Sequence, residues 1–226
     1  WKPTSISWRQ AERQQLAISF LGLRVVPVWE LPVFLRQYSP PLALFVRGNS
    51  DLLYEMGCGV VGSRDASEQG LTWASHRATE VVQKGEVVIS GGALGIDAAA
   101  HVAALGAGGR TLVYLGVAAD RIYPLRHRPL FARVLAQGGA LVSEHPPLAY
   151  TAAYEHARRN RLIVGHSRRL LIAEARIDSG TLKTANIACR LNKPVYIPKP
   201  RSVRNGAGLA ALLRENKAKV WTSYMS

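Results

Sequence analysis

Six short apolar runs, Val60-Val61, Val87 to Ile89, Thr111 to Leu115, Ala140 to Val142, Leu170 to Ala173 and Pro194 to Ile197, recur along the chain with helical patterns between them. Runs this short and this uniformly apolar suit strands covered on both faces, and the stretches between them are long enough for helical crossovers. The pattern predicts a doubly wound α/β domain with a mostly parallel sheet over residues 41–220, followed by a short tail at 221–226. Residues 1–40 are less regular. Ala11 to Leu21 reads as a helix, and Pro27, Pro32, Pro40 and Pro41 interrupt the stretch after it, so this part is expected to be a partly helical extension packed on the sheet. A length of 226 residues with 48% hydrophobic content fits one sizeable core.

The first helix of the domain is signposted by Asp65 and Glu68, which can form a capping box. Leu71, Ala74, Ala78, Val81 and Val82 then share one face, and Gly85 ends the helix. After Lys217 there is no strong pattern, and fraying is expected.

In an open parallel sheet, ligands bind beyond the carboxyl ends of the strands, so residues that follow different strands share one rim. Three turns are built for that rim. Gly62-Ser63-Arg64 follows Val60-Val61; Ser90-Gly91-Gly92-Ala93-Leu94-Gly95-Ile96-Asp97 follows Val87 to Ile89 and opens an alanine-rich helix; Ser179-Gly180-Thr181 leads into the helix from Leu182 to Leu191. Small residues at a strand-to-helix turn let main-chain N–H groups converge on an anion at the positive end of the helix dipole. Arg64 adds a planar fork suited to phosphate oxygens.

Lys and Arg outnumber Asp and Glu by 29 to 15, a formal charge of +14, which favours a polyanionic partner. Arg121, Arg126 and Arg128 follow one strand, while Arg158, Arg159 and Arg161 precede another, with Asn160 among them. Cations spread in this way suit phosphates along a polymer better than a single nucleotide. Tyr123 and Tyr154 lie among these arginines, where base stacking, core packing and a phenol hydrogen bond are all open readings.

Other chemistries fit less well. Gly57-Cys58-Gly59-Val60-Val61-Gly62 matches G-x-G-x-x-G, but the strand falls inside the motif and no acidic ribose ligand follows the next strand. Gly165-His166-Ser167-Arg168-Arg169 lacks the last glycine of a nucleophile elbow, and no catalytic triad is evident. Cys58 and Cys189 stand far apart with no zinc spacing, so neither a disulfide framework nor a metal site is expected, and a reducing cytoplasm is the default compartment. Asp97 and His101 could form an acid/base or metal pair; the reading adopted is that they brace the turn. Glu174 and Asp178 are expected to orient arginines. No apolar run reaches the ~18 residues of a membrane span and no signal-peptide layout is present. The first residue is Trp1 rather than Met, so trimmed upstream sequence is expected.

Together these residues resemble the DprA (Smf) family of DNA-processing proteins, over about residues 40 to 210. Val60-Val61-Gly62-Ser63-Arg64 resembles that family's opening strand and turn. Ser90 to Asp97 with His101 resembles its S-G-x-A-x-G-I-D-x-x-A-H segment, and Asp120-Arg121-Ile122-Tyr123-Pro124 its D-x-x-Y-P. Ser143-Glu144, Arg159-Asn160-Arg161 and Ser179-Gly180-Thr181 with Thr184-Ala185 come next, in the family's order. Ala118, His127, Ala157 and Lys199 depart from its usual residues.

The resemblance implies an extended Rossmann-like fold and a cytoplasmic, non-enzymatic protein. Such a protein binds single-stranded DNA without a cofactor, forms a homodimer, and helps load RecA recombinase during natural transformation. It implies DNA contacts at Arg64, Asn160, Arg161, Ser179 and Gly180, with Arg126 or Arg128 supplying a further cation. The rim argument adds Gly62, Ser63, Ser90, Gly91, Gly92, Arg159, Thr181 and Lys199. The family's C-terminal winged-helix domain and full N-terminal helical domain are expected to lie outside this stretch. A nucleotide phosphoribohydrolase and a nucleotide-binding module are the competing readings.

Overall fold

The structure is a computed structural model that describes residues 7–222. Its strands form a single sheet: β1 (Arg24–Pro27), β2 (Ala43–Gly48), β3 (Gly57–Val61), β4 (Val88–Ser90), β5 (Thr111–Tyr114), β6 (Ala140–Ser143), β7 (Ser167–Ile172), β8 (Val195–Ile197) and β9 (Lys219–Val220). They stand in the order β1-β2-β6-β5-β4-β3-β7-β8-β9. From β6 across to β9 all neighbours are parallel, with Tyr114 opposite Val142, Gly59 opposite Ile89, and Val61 opposite Ile172. β2 runs antiparallel to both β1 and β6. The doubly wound α/β arrangement read from the sequence is the one observed.

Side-chain alternation along the strands feeds two cores. Cys58, Val60, Val88 and Leu171 pack with Ala74, Ala78 and Val81 of α3 (Glu68–Gln83) and with Ile96, Ala100 and Ala104 of α4 (Ile96–Gly106). Val61, Ile89, Leu170 and Ile172 point the opposite way. They meet Leu162 and Ile163 of α7 (Asn160–His166), Ala185 and Ala188 of α8 (Gly180–Arg190), and Leu209 and Leu212 of α9 (Ala207–Arg214). A third cluster joins Val113 and Leu141 to Phe131 and Val134 of α5 (Arg128–Ala136). Among the described residues no helix is long and apolar enough to cross a membrane.

Three features depart from the sequence reading. First, the segment before residue 40 does not simply lie on the sheet: β1 extends it as an edge strand, with Val26 opposite Leu44. Leu35 of the short helix α2 (Val33–Arg36) enters the core, whereas α1 (Trp8–Phe20) buries no residue. Second, α3 is capped by Ser67, whose hydroxyl accepts from Gly70 N at 3.2 Å, and not by Asp65. Asp65 instead bonds the guanidiniums of Arg176 and Arg204, each at 2.8 Å. Third, the sheet continues past Lys217 into β9. Its successor Trp221 packs edge-on against Tyr196, and the Arg77 guanidinium lies 5.3 Å from the Trp221 ring and 5.9 Å from Trp73. Residues 223–226 of the expected tail lie outside the described residues.

Two histidines are wholly buried. His166, in the Gly165–Arg169 stretch that lacks the glycine of a nucleophile elbow, receives the Tyr114 hydroxyl at Nδ1 (2.9 Å) and donates from Nε2 to the Glu55 carbonyl (3.0 Å). His101 bonds the Thr111 hydroxyl at 2.7 Å. Thr111 in turn donates to the Val88 carbonyl. Burial holds His101 down to about 3 and His166 down to about 4. Both rings are therefore neutral in the folded protein where their unfolded counterparts charge. The stability this confers is full above about pH 6.5 and is lost as pH falls. Denaturant midpoints measured at pH 7, 6 and 5 should drop, with a slope near pH 5 approaching about 2.7 kcal/mol per unit for two protons taken up on unfolding. A flat profile would contradict neutral burial of the rings.

Candidate anion-binding cleft

Successive parallel strands run outward from β3 through β4 and β5 to β6, and the chain then returns to lay β7 on the other side of β3. The crevice where that order reverses is where an open α/β sheet binds its ligand. A cleft of about 400 Å³ lies there. It is walled by Gly62, Ser63, Arg64 and Asp65 after β3, Ala93 and Asp97 after β4, and Ala175 and Arg176 after β7. The Ser179-Gly180-Thr181 start of α8 and the junction of α6 (Glu155–Arg158) with α7 complete it.

Backbone bonds stitch these walls together. Ser63 N donates to the Glu174 carbonyl at 2.9 Å, and Ile96 N to the Ser63 carbonyl at 3.2 Å. Gly95, at φ +74°, leaves no space for a side chain against the Ser63 and Arg64 carbonyls. Ser179 caps α8 by accepting from Leu182 N. Asn160 donates to the Thr184 hydroxyl at 2.8 Å, joining α7 to α8 across the cleft.

The Glu174 carboxylate lies beneath the floor, fully buried. Oε2 accepts from Ser67 N (2.8 Å) and the Ser67 hydroxyl (3.0 Å), and Oε1 accepts from Asn205 N (2.8 Å). It therefore holds main-chain and hydroxyl donors, not the arginines expected from the sequence. Asp97 does brace its turn, accepting from Ala93 N at 3.3 Å; burial raises its pKa, opposed by Arg159 and by main-chain N–H groups.

Arg159 is the central cation. It is 4% exposed, its guanidinium lies against Gly91 so closely that a Cβ there would collide with it, and among the described residues its Nε and Nη1 have no hydrogen-bond partner. Burial lowers its pKa to about 10, with Asp97 opposing and Arg64 adding to the shift, so it stays charged at neutral pH. Arg64 is exposed at the mouth, and among the described residues it makes no ion pair.

Of the residues that the sequence marks as candidates, the cleft gathers Gly62, Ser63, Arg64, Arg159, Asn160, Ser179, Gly180 and Thr181, with Gly91 behind Arg159. The others stand apart from it. Ser90 is buried and donates to the Val60 carbonyl at 2.6 Å, and Gly92 packs on Phe131 while its carbonyl bonds His127 at 2.9 Å. Arg126 and Arg128 are exposed beyond β5, and Lys199 is exposed after β8. Arg161 is buried, its guanidinium bonded to both Glu144 oxygens and to the Ser39 and Arg158 carbonyls. Glu144, His145 and Glu155 cluster beside it, but Arg161 and Arg158 lie in the same cluster, which is thus an ion-pair network holding α6 and α7. Arg176 and His156 also line the cleft, although the sequence does not mark them. Arg176 stands just past β7, where the same rim rule would find it; His156 carries no such signal, because its place depends on the α6–α7 junction.

A doubly wound sheet with a cleft at its switch point, lined by a buried guanidinium and small-residue turns, defines an α/β protein of Rossmann-like architecture. Within that class, the chain belongs to the family described as DNA recombination-mediator protein A, whose pattern matches residues 29–226. It is 41% identical to Protein Smf of Escherichia coli K12 over 170 residues, which are 75% of this chain and 46% of that protein. It is similar in structure to DNA processing protein A of Streptococcus pneumoniae, with a TM-score of 0.82 at 32% identity, covering 94% of this chain and 76% of that one. A second similar structure concerns the single-stranded DNA binding mode of DNA processing protein A from Helicobacter pylori; the TM-score is 0.77 at 26% identity, over 89% of this chain and 92% of that one. The chain spans about half the length of the first curated relatives it matches.

Glu174→Gln puts an amide N–H₂ against main-chain or hydroxyl donors, and should lower stability by ~1–3 kcal/mol in denaturant titration. An unchanged midpoint would mean that these donors do not depend on the carboxylate.

Proposed function

We propose that this chain binds single-stranded DNA through the switch-point cleft and acts, without catalysis, as a recombination mediator. The observation that carries the reading is Arg159, a buried guanidinium that lines the cleft and, among the described residues, makes no ion pair. A buried cation left without a counter-charge is costly, and a phosphate in the cleft would supply one. Exposed Arg64 stands ready at the mouth, the α8 N-terminus adds a dipole, and Arg126, Arg128 and Lys199 extend positive charge along the rim on either side. Asn160, Ser179, Gly180 and Thr181 offer neutral donors. Arg161 serves by fixing α7 against Glu144 rather than by touching the strand.

The naming of a single-stranded DNA binding mode for the Helicobacter pylori relative supports the same ligand. Family membership supports the wider role, in which the bound strand is handed to RecA recombinase in the cytoplasm during natural transformation by a pair of identical subunits. As the acid of a phosphoribohydrolase Glu174 fits poorly, because it is buried and engaged by Ser67 and Asn205.

With about four phosphates neutralised, log affinity for an oligo-dT should fall with log salt at a slope near −3. Arg159→Met should weaken binding about tenfold, a loss of ~1.4 kcal/mol, and flatten the slope by about 0.7. Fluorescence anisotropy on single-stranded and duplex oligonucleotides checks both. Equal affinity for duplex, or no salt dependence, would remove the single-strand reading, and an unchanged Arg159→Met variant would remove Arg159 from the site.

A further inference from the structure

Arg159 separates the main cleft from a second, smaller cavity of about 40 Å³, lined by Arg64, Gly91, Ala93, Leu94, Gly116, Tyr123, Pro124, His156 and Arg159. A single water needs only ~10–15 Å³, so the space suits a small oxyanion. His156 lines both cavities. Its ring lies 5.0 Å from that of Tyr123, and it packs against Gly116 so closely that a Cβ there would collide with the ring. Three cationic or potentially cationic groups from separate segments thus converge on one small space: Arg64 after β3, Arg159 at the start of α7, and His156 on α6.

We propose that this second cavity is a phosphate subsite whose third cation is the protonated His156 ring, so that the protein takes up a proton as a strand binds. The inference deepens the single-strand reading and rests on it. Facing His156 are Arg64, Tyr123 and Arg159, with Asp97 across the adjoining cleft. On its own turn, Glu155 and Arg158 pair with each other and with His145 and Glu144.

These neighbours set the sign of the coupling. In the free protein, burial first, then Arg159 and Arg64, hold His156 below its ordinary value of 6.5. A phosphate beside it favours the charged ring and raises that value. One proton then passes from solvent to the imidazole on binding, and affinity rises as pH falls through the window between the free and bound values. Without the ligand the same arginines repel the proton, so the coupling is absent from the empty site.

A hydroxyl-ended oligo-dT has no group that titrates between pH 5 and 8, which leaves any proton exchange to the protein. Calorimetry of wild-type protein at pH 6, in two buffers of different ionisation enthalpy, should register net proton uptake, with affinity about fivefold higher at pH 5.5 than at pH 7.5. His156→Gln should bind with no uptake and with the same affinity at both pH values. Zero uptake by wild type, or undiminished uptake by His156→Gln, overturns the subsite while leaving the single-strand reading standing. Failure of oligo-dT to bind at any pH overturns that reading instead. The subsite is then judged with sodium sulfate as probe: the NMR midpoint of the His156 ring should move up on its addition, and a midpoint indifferent to sulfate overturns the proposal.

Discussion

A carboxylate taken out of water is tolerated only where its lone pairs are filled, and at Glu174 they are filled by Ser67 and Asn205 rather than by a counter-ion. That requirement ties three distant stretches together: the exit of β7, the first turn of α3 and the loop before α9. Gly70 is a direct consequence, since any side chain there would run into the carboxylate. With these ends fixed, the Ser63 N–H reaches the Glu174 carbonyl and the two strands flanking the switch point open into one crevice. The cleft is thus shaped by hydrogen bonds beneath its floor, while Arg64 and Arg159 of its lining make no ion pair among the described residues.

The lining is of mixed sign. Asp65 and Asp97 stand among Arg64, Arg159 and Arg176. Asp97 moderates the field around Arg159 without reaching ion-pair distance, and Asp65 orients Arg176 and Arg204 at the mouth. A cleft with cations alone would hold any anion strongly and release it slowly. Internal carboxylates lower the net attraction that the cleft exerts on an anion.

Whatever is encoded locally is legible in the sequence. An apolar run followed by small residues announces a parallel strand and its carboxyl-end turn, and Gly62-Ser63-Arg64 and Ser179-Gly180-Thr181 both fall in the cleft on that basis. The edges are illegible for different reasons. In β2 only Leu44 and Val46 are buried, an antiparallel alternation obscured by the preceding Pro40-Pro41, and β9 is too short to show any period. The choice of Ser67 over Asp65 as the cap of α3 is made by Glu174, 107 residues downstream. Arg161 looks like its neighbour Arg159 in sequence; only the fold shows that one is consumed by Glu144 and the other left open. Long-range pairing of charges leaves no signature in a single chain.

The two margins of the sheet are also informative. β1 is four residues long and ends in Pro27, which has no N–H to offer, while β9 is two residues long and carries an exposed Lys219. Open strand edges invite neighbouring chains to add to them, and short, proline-ended or lysine-bearing margins discourage it. A nine-stranded sheet finished in this way resists growing into strand-on-strand aggregates at high local protein density, the condition created wherever many copies crowd along one polymer.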